Sequence, residues 1–159
     1  MKKAIDLKIL DPDSICIEDI AHALSHIPRF AGHLPQLYSV AQHSYYVSQM
    51  VSGKRRLGAL LHDASEAYIG DMPSPFKKMM PEYKIIEEKL MKVIALKFGI
   101  EYPFHLEIKE ADANMLNAEW DSFVNKSRIL PYWNPQHAKQ MFLNEFKLLS
   151  NHYKNEPRT

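Results

Sequence analysis

The chain has 159 residues, 46% of them apolar and 25% charged, with a formal net charge of +1. That length suits one domain with one core, and the near-neutral balance without a long basic run argues against a surface that tracks nucleic acid. A single cysteine, Cys16, excludes a disulfide framework and a cysteine-based zinc site, and fits a reducing cytoplasm.

No apolar run nears the roughly 20 residues needed to cross a bilayer, and the first stretch, MKKAIDLKILDPD, lacks a signal-peptide core. Only 5 glycines occur, and apolar residues recur at helical spacing. The expectation is an all-α, compact helical domain over residues 1–159, with a short extended N-terminal segment where AIDLKIL alternates.

A first helix is expected from Ile17, with Ile17, Ile20, Ala21, Leu24 and Ile27 on one face and Pro28 as its stop. RFAGHLPQLYS reads as a loop because it carries Gly32 and Pro35. Ser39 then caps a second helix, about Val40 to Val51, with His43 in its first turns. A third runs from about Arg55 to Ile69, and a fourth starts at Pro81 and ends at Gly99. A fifth, about Glu107 to Val124, carries Asp112 and Glu119. The loop SRILPYWNP leads to a final helix capped by Asn134-Pro135, with Ala138, Met141, Phe142, Phe146 and Leu149 inward.

The most informative stretch is Leu60 to Lys78, LLHDASEAYIGDMPSPFKK. On one continuous helix, Glu66 shares a face with His62 and Asp63. A neutral imidazole and a carboxylate side by side suit a divalent ion, and a third acid beside them suits proton handling. Gly70 breaks the helix, Asp71 follows, and PSPFKK reads as a loop with a hydroxyl and two ammonium groups, Lys77 and Lys78. The pair His62-Asp63 alone also fits an ordinary amphipathic helix, so the metal reading depends on ligands from elsewhere. His43 interrupts an otherwise apolar helix, and Asp112 sits between alanines near Met115 and Leu116. A buried His or Asp is usually a satisfied core polar group. Together, however, His43, His62-Asp63 and Asp112 make a set spread over three helices, a common source of ligands for metals bound in helical bundles.

The segments SVAQHS, LLHDASEAYIGDMPSPFK and IKEAD resemble the signature of HD-domain metal-dependent nucleotide phosphohydrolases. The resemblance is closest to the small phage and bacterial group that contains dATP triphosphohydrolases and 5′-deoxynucleotidases. It extends to the flanking segments IEDIAHALSHIPRFAGH and PYWNPQHAKQMFLNEF, and so to nearly the whole chain. It implies the all-α HD fold and a set of site residues. His43, His62, Asp63 and Asp112 match the metal-ligand positions, and Glu66 and Asp71 the acids beside the metal. Arg29 and Phe30 match an Arg-plus-aromatic pair that contacts the nucleotide, and Lys77 a lysine near the phosphates. The deoxynucleotidases carry Trp where this chain has Phe30, so an aromatic wall is kept.

His33, near the Arg29 loop, either reaches phosphate or bonds the loop backbone. His22 and His26 sit four apart, the spacing of a two-His metal face, but no acid array completes that site, so surface or packing roles are expected. Glu119, two turns after Asp112, either supports the metal site or makes a structural pair. Met79-Met80 and Tyr45-Tyr46 read as core or subunit-contact residues.

These ligand types suit Mn²⁺, Co²⁺, Zn²⁺ or Fe²⁺ and do not select the ion; Mg²⁺ also stays open. The leading expectation is hydrolysis of dATP to deoxyadenosine and triphosphate, with a 5′-deoxynucleotidase as its nearest rival. A cyclic-nucleotide phosphodiesterase is a more distant rival, and a non-catalytic HD-fold binding module comes from another class. The expected partners are a small deoxynucleotide and further copies of the chain in a dimer or hexamer, with no stable nucleic-acid or membrane partner.

Overall fold

A computed structural model describes residues 6–155, with side chains through residue 150. The described residues form eight α-helices: α1 (Ile17–His26), α2 (Val40–Gln49), α3 (Arg55–Leu60), α4 (Glu66–Ile69), α5 (Ser74–Lys77), α6 (Pro81–Phe98), α7 (Leu106–Phe123) and α8 (Pro135–Asn155). Short 3-10 turns lie at Pro12–Ser14 and Phe30–Gly32, and no strand forms among the described residues. The fold is all-α. No helix among the described residues is long and apolar enough to cross a membrane.

Local chemistry explains most of the boundaries. The Ser39 hydroxyl accepts the Gln42 N–H at 3.2 Å and starts α2. Asn134 Oδ1 accepts the His137 N–H at 2.8 Å and starts α8. Pro81 opens α6 where its missing N–H costs nothing, and Gly99 closes it at φ +69°, a left-handed position that suits glycine.

The expected extended N-terminal arm is not seen. Residues 1–5 lie outside the described residues, and 6–9 close as a tight turn, the Ile9 N–H donating to Asp6 O at 3.1 Å. Asp6 Oδ1 also accepts the Lys8 N–H at 2.8 Å, a local bond that competes with extended backbone. A second difference falls on the motif. The stretch expected as one helix, 55–69, is two helices joined by a tighter turn. Across it the backbone bonds shift to three-residue spacing: Ala64 N–H to Leu61 O at 3.0 Å and Glu66 N–H to Asp63 O at 3.0 Å. PSPFKK, expected as a loop, contains the single-turn α5.

The main core gathers Ile20, Leu24, Leu60, Leu61, Leu90, Ile94 and Phe142, where α8 packs on α1, α2 and α3. A second cluster, including Val47, Ala59, Ile108, Ala111 and Met115, joins α2, α3 and α7. Gly58 lets α3 approach α7 closely: a Cβ there would meet Ile108 Cδ1 at 3.1 Å. Tyr45 and Tyr46 are half-buried, whereas Met79 and Met80 are exposed and do not belong to this chain's core.

Phe142 has no exposed surface and sits in the main core. Phe142→Ala is expected to cost about 3–5 kcal/mol of unfolding free energy in a urea titration, the usual range for emptying an aromatic site. A loss below about 1 kcal/mol, the size of an average substitution, would contradict this packing.

Candidate metal centre

The two core clusters bring α2, α7 and the turn after α3 to one place, and the sequence puts His43, Asp112 and His62-Asp63 on those elements. His43 Nε2 lies 3.0 Å from Asp112 Oδ1 and 3.8 Å from Asp63 Oδ2. His62 Nε2 lies 3.2 Å from Asp63 Oδ2 and 3.7 Å from Asp112 Oδ1. The ligand atoms of His43, His62 and Asp112 all fall within 4.8 Å of one another. His43, His62 and Asp112 thus come together from three segments, and Asp63 lies against both imidazoles.

The far side of each imidazole decides which nitrogen faces the cluster. His43 Nδ1 meets Glu119 Oε1 at 2.6 Å, and His62 Nδ1 meets the carbonyl of Ala59 at 2.7 Å. A carboxylate and a carbonyl accept, so both Nδ1 atoms carry protons and both Nε2 atoms face the acids. His62 Nε2 is buried and has no hydrogen-bond partner among the described residues. An orphaned imidazole nitrogen beside two carboxylate oxygens fits a divalent cation.

Electrostatics agree with that fit. Burial pushes Asp63 upward, but His62 and then His43 outweigh it and hold its pKa down to about 2. Asp112 is likewise lowered: burial opposes its charge, and the bonds and charges of His43 and His62 overcome that penalty. Both carboxylates are therefore ionised at neutral pH. For His62, burial lowers the pKa, yet Asp63 and Asp112 outweigh burial and hold it well above the imidazole value. A divalent cation bound here would take the place of that proton.

Glu66 stands beside this group at the start of α4 and is only 3% exposed. Burial, then the charges of Asp63 and Asp71, push its pKa up to about 9. Its Oε2 is buried with no hydrogen-bond partner among the described residues, and its Oε1 lies 3.4 Å from Lys77 Nζ. Asp71 is half-buried; burial raises its pKa, Arg29 and Lys77 pull it down, and Asp63 pushes it up. The short α5 brings Lys77 to the site, where it donates to Glu87 Oε1 at 2.8 Å as well as to Glu66. Lys78 points to solvent, as expected.

The residues expected to face a substrate divide. Arg29 donates from Nε and Nη2 to Glu119 Oε2 at 3.1 and 2.7 Å. Phe30 follows it in a left-handed backbone at φ +55°, and Ala31 also lies there at φ +49°, a strained conformation for both residue types. Its ring lies 6.3 Å from Trp120 and 6.1 Å from Phe123, so the wall expected from one aromatic is a cluster. His33 is exposed and its side chain makes no hydrogen bond among the described residues, so the structure does not bring it to the metal ligands. His22 and His26 are also exposed, with ring centroids 4.4 Å apart, away from any acid cluster.

Glu119, left open between two roles by the sequence, holds both His43 and Arg29 from full burial. The available signal was its place seven residues after Asp112, on the same stripe of α7. Gln42 was missed. Its amide donates to Pro131 O at 2.7 Å and accepts the Trp133 N–H at 3.1 Å, which fixes the 124–134 loop against α2 beside His43.

No family model matches the chain. It is similar to an Escherichia coli (strain K12) protein named "Uncharacterized protein YfdR", 47% identical over 110 residues, covering 69% of this chain and 62% of that one. It is also similar to "Uncharacterized protein RCAP_rcc00048" of Rhodobacter capsulatus, 38% identical over 117 residues, covering 66% of this chain and 60% of that one. The matched region thus spans about three-fifths of the length of these curated relatives.

Proposed function

We propose that the chain is a metal-dependent phosphohydrolase acting on deoxynucleotides. One observation carries this reading: His43, His62, Asp63 and Asp112 converge from three segments, with both Nδ1 atoms tied off and both Nε2 atoms turned inward. These four would hold the ion. When bound, a divalent cation supplies Lewis-acid charge to a phosphate oxygen and acidifies water.

The chain's own residues account for the rest. In both forms of the reading, water attacks the phosphorus next to the sugar and the bond from that phosphorus to O5′ breaks. The leaving oxygen needs a proton, and Glu66 holds one at neutral pH in a buried carboxyl whose Oε2 has no hydrogen-bond partner among the described residues. Asp71, half-buried on the same side, accepts from the sugar hydroxyl or the water. Arg29 keeps Nη1 without a hydrogen-bond partner among the described residues and offers it to a phosphate oxygen. Phe30 and Trp120 offer apolar faces to a base.

The form implied by the sequence resemblance is dATP triphosphohydrolysis. A specific observation favours the second reading, a 5′-deoxynucleotidase acting on monophosphates. The cations expected to hold a polyphosphate tail are already engaged by acids, Arg29 by Glu119 and Lys77 by Glu66 and Glu87. With Asp71 also nearby, a triphosphate would bring several further negative charges to a site with little spare positive charge. A dimer or hexamer in the cytoplasm belongs to the same proposal.

Three measurements test this. Metal analysis of Asp63→Ala is expected to show loss of stoichiometric Mn²⁺ or Co²⁺ with the helical circular dichroism kept; a folded variant that retains its ion would remove these ligands from the site. For Glu66→Gln, metal content and substrate affinity should persist while kcat falls about 10²–10⁴-fold, the scale of a lost proton donor. An unchanged kcat at saturating metal would make Glu66 structural. Chromatographic product analysis with the dNTPs and the dNMPs separates the substrate readings. Triphosphate from dATP supports the first, orthophosphate from dAMP the second, and turnover of no dNTP and no dNMP contradicts a hydrolase of deoxynucleotides.

A further inference from the structure

Glu119 is a fully buried carboxylate with two clients. Its Oε1 takes the Nδ1–H of His43 at 2.6 Å, on the imidazole whose other nitrogen faces the metal site. Its Oε2 takes both Nε and Nη2 of Arg29, at 3.1 and 2.7 Å. No other described side chain both touches a proposed metal ligand through its non-ligating nitrogen and holds the cation that faces the substrate. Burial opposes the Glu119 charge, but His43 and Arg29 together outweigh that penalty, and its pKa stays below the ordinary glutamate value.

From this shared carboxylate we propose that Glu119 is a positioning residue that couples the ion site to the anion site. The inference rests on the metal-centre reading above and assigns the site a regulation which that reading does not contain. The physics is competition for one negative charge. Charge drawn toward the Arg29 guanidinium is withheld from the His43 Nδ1–H, and a weaker pull on that proton makes Nε2 a poorer electron donor. An anion at the open Nη1 of Arg29 relieves its demand on Oε2. More of the carboxylate then acts on His43, and the ion is held more tightly. Linkage requires the reverse as well: a bound ion acidifies the His43 Nδ1–H, draws Glu119 toward it, and frees Arg29 for an anion. Ion and phosphate thereby retain each other during turnover.

A long-range field from Arg29 would also change cation affinity, and a double-mutant cycle separates the two causes. Mn²⁺ affinity is measured by calorimetry, without substrate, for wild type, Glu119→Gln, Arg29→Gln and the double variant. Glu119→Gln is expected to weaken Mn²⁺ about 10–100-fold. Arg29→Gln should tighten Mn²⁺ about 3–10-fold with Glu119 present, within the usual range of coupling between neighbouring groups, and leave it unchanged in the Glu119→Gln background. An equal tightening in both backgrounds would show a field effect and overturn the coupling, as would wild-type affinity in Glu119→Gln.

A second readout does not depend on the ion or on the Glu119 variant folding. In metal-free protein, the side-chain NMR signal of the His43 Nδ1–H should move downfield in Arg29→Gln. It should also move downfield when inorganic phosphate is added to wild type, and not when phosphate is added to Arg29→Gln. A signal that ignores both changes would refute the coupling even if the protein binds Mn²⁺. If wild type binds no Mn²⁺ but the signal moves as expected, the metal reading fails and the Glu119 link stands.

Discussion

A charged carboxylate shielded from solvent must be met by donors, and Glu119 imposes that condition on α7 and the segments packed against it. Its donors come from α2, through His43, and from the turn between α1 and α2, through Arg29. Those two segments must therefore meet α7 in one geometry. The apolar packing of Val47, Ala111 and Met115 brings α2 and α7 together, and Gly58 lets α3 close on Ile108 so that the turn after α3 reaches the same point. Backbone pairing of Pro28 with Ser39, and the Arg29 N–H bonded to Tyr38 O at 2.9 Å, fix the Arg29 turn. The left-handed Phe30 and Ala31 fit this arrangement: strain of that kind persists only where the surroundings over-determine it.

The site is built in graded rigidity. His43 and Glu119 have no exposed surface, while Asp63 and Asp112 keep 20% and 46% of their side chains open. One wall is thus fixed by packing and the other is accessible to solvent. Glu66 and Lys77 stand at the boundary, on single-turn helices that flank Gly70. The exposed Phe76, Met79 and Met80 continue from there, so the rim of the site is apolar as well as charged.

Much of this was legible in the sequence where a local rule decides the outcome. The boundaries of α1, α2, α6, α7 and α8 follow from apolar period, Ser39, Pro81, Gly99 and Asn134, and each stands within a residue or two of where the chain suggested. The convergence of His43, His62 and Asp112 was legible from the adjacent pair His62-Asp63 and from a His and an Asp set among apolar neighbours on two other helices. The break after Leu60 was not. LLHDASEAYI contains neither Gly nor Pro, and its period reads as one helix. Its winding changes where His62 binds the Ala59 carbonyl and turns toward His43 and Asp112, partners distant in the chain. The role of Glu119 was hidden for the same reason, since a shared carboxylate depends on two partners 76 and 90 residues away. The pairing of Arg29 and Lys77 was also beyond the sequence, which shows the cations but not which acids hold them.

The central claim, that these helices are arranged around one divalent cation, is tested most directly by anomalous diffraction from crystals grown with Mn²⁺ and recorded at the manganese absorption edge. The expected result is a single peak bounded by His43 Nε2, His62 Nε2 and the carboxylates of Asp63 and Asp112, with the Nδ1 bonds to Glu119 and Ala59 intact. A map with no peak there, or with its strongest peak at His22 and His26, would contradict the account.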